Sequence, residues 1–73
     1  MLTKTDEVVA SIVQRIYVGE LSPGERLPPS ETLAKTLGVS RGTARTALLM
    51  LRAREAIYKR GNSWYVERRR ASR

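Results

Sequence analysis

The chain has 73 residues, 41% of them hydrophobic, which suits one small domain with a modest core. Cysteine and histidine are both absent, which excludes a disulfide-stapled scaffold, makes a zinc or transition-metal site improbable, and removes the usual general base for a serine or threonine nucleophile. The +7 net charge is uneven: residues 1–34 carry Lys4, Arg15 and Arg26 against five acids, a net of −2, whereas residues 35–73 carry the other bases against Glu55 and Glu67 alone, a net of +9.

An asymmetric basic half is the electrostatic footprint of a protein that meets phosphates, and a merely soluble basic surface is the competing reading. No apolar run approaches the roughly 18 residues of a membrane helix. The start, with acids ahead of its apolar residues and no small-residue cleavage site, does not read as a secretion signal. No cofactor and no enzymatic activity are indicated.

In chain order, Val8, Val9, Ile12, Val13, Ile16 and Tyr17 recur at helical spacing and predict a first helix. Thr3 or Thr5 can cap it, Asp6 and Glu7 suit its N-terminal dipole, and Gly19 can end it. The stretch GELSPGERLPPS is too rich in Gly and Pro for regular structure and predicts a structured connector with Leu21 and Leu27 reaching inward. A short helix is expected from about Ser30 to Leu37. Gly38-Val39-Ser40 forms the turn, and Ser40 caps a third helix whose Ala44, Ala47, Leu48 and Leu51 define a buried face. The period then changes: AIYK and WYVE read as two strands around a Gly-Asn turn, with Ile57, Trp64 and Val66 toward the core and Tyr58 and Tyr65 outward.

The expected architecture is therefore mostly α with a small β-hairpin: a winged helix-turn-helix of three helices and a two-stranded wing over residues 1–66, followed at 67–73 by a basic tail or the start of a linker. With the alanine-leucine face of the third helix inward, Arg41, Gly42, Thr43, Arg45 and Thr46 lie at its exposed N-terminal end. That is the end a helix in a major groove presents to base edges and phosphates. Arg41 and Arg45, four apart, project the same way, and each can fork onto a guanine. Two arginines against a positive helix terminus are locally unfavourable, and an anionic partner would neutralise them. Gly42 allows close approach. Ser40 and Thr43 can donate to phosphate or base, though the cap can occupy Ser40 fully. At the hairpin, Lys59, Arg60, Gly61 and Asn62 form a slim basic tip of a size to enter a minor groove. Solvated surface residues and an ordinary turn are the competing readings for both places, and Trp64 reads as packing rather than base stacking.

Residues 16–51 resemble the DNA-binding domain of the GntR family of bacterial transcription regulators. Ile16, Gly19, Leu21, Pro23, Gly24, Leu27 and Pro28 match the family's I-x-x-G-x-L-x-P-G-x-x-L-P lead-in, and Leu33, Ala34, Leu37, Gly38, Val39, Ser40, Arg41, Thr43, Arg45, Ala47, Leu48 and Leu51 match its helix-turn-helix. The resemblance implies a cytoplasmic, nucleoid-associated repressor that binds a pseudo-palindromic double-stranded operator as a homodimer. Operator contacts would come from Arg41, Gly42, Thr43 and Arg45, with Arg60 and Gly61 in the minor groove. Three departures stand out. Pro29 and Glu31 occupy positions where the family has a capping serine and a DNA-contacting arginine, so a phosphate contact is expected to be lost and Ser30 to cap one residue later. The glycine usual after the third helix is replaced around Glu55-Ala56, and the hairpin reads one residue shorter. The family's C-terminal effector domain has no counterpart before Arg73, so the chain reads as either an excised domain or a protein without ligand sensing, and an effector ligand is expected only if such a domain exists. Non-specific nucleic-acid binding by a basic architectural protein, and a protein–protein adaptor built on a winged helix, are the alternative functions.

Overall fold

Thr3 sets the start of the first helix, α1 (Lys4–Tyr17), in the computed structural model, which describes residues 3–68. Its hydroxyl accepts from the Asp6 backbone N–H while the Asp6 carboxylate accepts from the Thr3 N–H, both at 3.1 Å, a reciprocal capping box. At the other end, beyond Gly19, the Glu20 N–H reaches the Arg15 carbonyl at 2.8 Å and closes the helix. Val8, Val9 and Ile12 are buried and Ile16 packs against the core. The apolar stripe is narrower than its spacing suggests, because Val13 is 38% and Tyr17 86% exposed. The third helix is the main packing partner of α1, and one helix covers one stripe.

The second helix, α2 (Ser30–Leu37), begins without a side-chain cap. The expectation that Ser30 caps it is corrected: extended Pro29, at φ −61° and ψ 157°, holds the cap position, and its carbonyl accepts the first helical bond from Leu33 at 2.9 Å. Ser30 is already helical, whereas a capping residue must be extended. Gly38, left-handed at φ 70°, turns the chain into the third helix, α3 (Arg41–Ala53). Ala44, Ala47, Leu48 and Leu51 are at most 1% exposed and face α1 and α2; the two alanines let the helices approach closely.

The residue after α3 and its Arg54 cap carries a conformational cost. Glu55 has φ 63°, the one positive value among the described non-glycine residues. The Ala56 N–H returns to the Leu51 carbonyl at 3.0 Å and the Glu55 N–H to that of Arg52 at 2.9 Å, the bond pair of a Schellman motif. A side chain in this conformation costs roughly 1–2 kcal/mol, which glycine avoids. Glu55→Gly is therefore expected to raise stability by about 1 kcal/mol, or roughly 4–8 °C in a domain of this size. A thermal melt followed by circular dichroism checks it, and an unchanged or lower midpoint would show that the turn is not strained.

The wing consists of β1 (Ile57–Arg60) and β2 (Ser63–Val66), antiparallel with Ile57 opposite Val66 and Arg60 opposite Ser63. Gly61, at φ 63°, takes the first position of the two-residue turn, where a tight hairpin of this twist demands a glycine. Ile57 and Val66 are buried and Trp64 packs half-buried beside them, while Tyr58 and Tyr65 stack across the outer face at 5.6 Å. The connector adds a third rung along β2. The Leu27 N–H donates to the Trp64 carbonyl at 2.7 Å, and the Val66 N–H donates to that of Glu25 at 2.9 Å. This pairing drives Leu27 into the core, where it is 2% exposed, and Leu21 packs against the same core. The architecture is the expected winged helix-turn-helix. Glu67 remains tied to the wing through its N–H to the Ala56 carbonyl at 3.0 Å; the rest of the expected basic tail, from residue 69, lies outside the described residues.

Candidate nucleic-acid interface

The N-terminal turn of α3 is built by Ser40. Its hydroxyl oxygen accepts from the Thr43 N–H at 3.0 Å, and its hydroxyl proton goes to the Thr43 side-chain oxygen at 2.9 Å. Ser40 is thereby occupied as cap and donor within its own turn. The consequence falls on Thr43, whose own hydroxyl proton stays available for an outside acceptor. Arg41, Gly42, Arg45 and Thr46 are exposed around it and Thr43 is half-buried. A Cβ placed on Gly42 would meet nothing closer than the Ser40 hydroxyl, at 3.9 Å. Among the described residues no packing demands glycine there, although it weakens a helix by about 0.5–1 kcal/mol relative to alanine. The first turn of α3 contains no acid to complement its dipole.

At the wing, Lys59, Arg60, Gly61 and Asn62 are all exposed. Lys59 lies opposite Trp64 in register, and its ammonium sits 5.6 Å from the centre of the indole, while the Arg52 guanidinium lies 6.0 Å from the same ring. Half-buried Trp64 thus orients two cations by cation–π attraction, a packing role with an electrostatic consequence.

The two places belong to one face. A shallow cleft lined by Pro28, Pro29, Ser30, Asn62 and Ser63 brings the wing tip beside the start of α2. The start of α2 in turn touches the start of α3: the Glu31 carboxylate lies 3.6 Å from the Arg41 guanidinium. Wing tip, α2 terminus and α3 terminus therefore follow one another along a single side of the molecule. An α-helix with its side chains is about 10–12 Å across, and a B-form major groove about 12 Å wide admits one.

Two contributors to this face escape sequence reasoning. Arg26 is exposed at the wing's edge because it bridges to Tyr65 and lines the same cleft. The ion pair between Glu31 and Arg41 depends on how two helix termini meet, and only the departure of Glu31 from the family pattern hinted at it.

Comparison with known proteins gives the same picture. The chain is 41% identical over 61 residues to the Uxu operon transcriptional regulator of Escherichia coli K12, covering 82% of this chain and 24% of that protein. It is 46% identical over 48 residues to the HTH-type transcriptional regulator Mce2R of Mycobacterium tuberculosis, covering 66% of this chain and 20% of that protein. The chain thus spans a quarter or less of the length of these relatives. Among solved structures, the DNA-binding domain of AraR in complex with operator ORX1 is similar with a TM-score of 0.84 and 31% identity, over 90% of this chain and 81% of that one. The model of the bacterial regulatory proteins of the gntR family matches residues 4–66, the whole of the helix-turn-helix and its wing, and the chain belongs to that family.

Proposed function

We propose that this domain binds double-stranded DNA sequence-specifically and regulates transcription, as a repressor working in the cytoplasm on nucleoid DNA. The exposed N-terminal turn of α3 carries the reading: Arg41 and Arg45 project from a helix end that has no acid of its own, with Thr43 free to donate between them. In this reading Arg41, Thr43 and Arg45 address base edges and Gly42 lets the helix approach. Lys59, Arg60, Gly61 and Asn62 bring the wing to the backbone and minor groove, while Thr46 and the remaining N–H groups of the turn serve phosphates. The structure of AraR on its operator supports the assignment by likeness of fold and sequence. A single winged module buries only about 600–1,000 Å² on DNA, so tight binding calls for two copies, and a homodimer on a pseudo-palindrome is the expected assembly.

The test is a selection of the protein on random duplex DNA at about 150 mM salt, close to physiological ionic strength. An inverted repeat is the expected outcome. Retention at low salt with no recovered motif would reduce the interaction to charge-driven binding and overturn the reading.

A further inference from the structure

An arginine on a DNA-facing helix has two kinds of acceptor within reach. Phosphate oxygens hold it without regard to sequence, and guanine O6 and N7 hold it by sequence. Which one Arg41 takes depends on its surroundings, and those contain a carboxylate. Glu31, on the first turn of α2, lies 3.6 Å from one terminal nitrogen of the Arg41 guanidinium. Both side chains are open to solvent, at 63% for Arg41 and 67% for Glu31, so the pair stands on the proposed interface rather than beneath it.

Resting on the DNA-reading role proposed above, we infer that Glu31 is a specificity-determining residue: it holds one edge of Arg41, repels the phosphates that would otherwise capture that arginine, and leaves its other edge to a base. A phosphate brought to Arg41 places a second anion beside the Glu31 carboxylate. The guanine edge is uncharged and meets no such repulsion. The guanidinium has five N–H donors in a rigid fork, so pairing one nitrogen with Glu31 leaves donors for a bidentate base contact. Glu31 thereby lowers affinity for DNA in general and raises the contrast between the right base and the wrong one. Acting through Arg41, it is a positioning residue.

Glu31→Gln keeps the shape and removes the charge; because Glu31 is the acid in the first turn of α2, the thermal midpoint should fall by about a few degrees, and binding is compared well below it. Binding of both proteins is measured by fluorescence anisotropy on the duplex recovered by selection and on a random duplex, at about 150 mM salt. The variant is expected to bind the random duplex about two- to fivefold more tightly, the range an exposed ion pair commands. It should gain less on the selected duplex and tolerate substitution at the base that Arg41 reads. In an Arg41→Ala background the same change should shift both duplexes equally, which isolates the coupling between the two side chains. Equal gains on both duplexes with Arg41 present, or no change on either, would overturn the role of Glu31 while leaving base reading intact. Absence of any preference in the unmodified protein would overturn both.

Discussion

Leu51→Ala is expected to cost about 2–5 kcal/mol, the range for deleting a leucine side chain from a core that cannot collapse around the gap. Leu51 is 0% exposed on α3, the helix against which α1, α2 and β1 all pack. A domain of this length has about 4–11 kcal/mol in total, so the loss is a large share of what holds it together. The variant should unfold at markedly lower urea concentration, with the wing and the helices lost together, because Leu51 also shares its last helical turn with the motif that launches β1. Urea titration by circular dichroism measures it. A loss below about 1 kcal/mol would mean that the core is not organised around this helix.

Arg45→Ala should act on binding and leave folding alone. The side chain is exposed one turn beyond Arg41 and has no ion pair among the described residues. A bidentate arginine contact to guanine is worth about 1–3 kcal/mol of discrimination, so affinity for the selected duplex should fall by about 5- to 150-fold. Affinity for random DNA should fall far less, and preference at one base position should relax. Lys59→Ala is the comparison: it should weaken both duplexes alike and lower the slope of log affinity against log salt by about 0.9, the signature of one phosphate contact. Equal losses on both duplexes for Arg45→Ala would remove its base-reading role.

Much of this could be read from the chain because helical spacing is a local signal. Val8, Val9 and Ile12, and Ala44, Ala47, Leu48 and Leu51, recur at intervals that leave one face for burial, and those faces are buried. Ser40 and the Gly38 turn are equally local. What could not be read depends on distant partners. The connector is irregular by composition, yet Leu27 pairs with Trp64, whose position is set by a hairpin far along the chain. Pro29 displaces a capping side chain, but whether Ser30 would replace it turned on which carbonyl accepts the first helical bond. Val13 and Tyr17 have core-like spacing and stay exposed because, among the described residues, no second element covers their side of α1. At the candidate interface, exposure of the arginines follows from the periodicity, whereas the pairing of Arg41 with Glu31 follows from the angle between two helices.

The rung between the connector and β2 also has a temporal meaning. It joins positions separated by about half the chain, and it secures strands whose Ile57 and Val66 complete the interior. Contacts of such separation close slowly compared with those inside a helical hairpin. The helical contacts between α2 and α3 therefore close before the connector meets β2. The helices thus pack before the wing does, and the interior is complete only when β2 locks Leu27 in place.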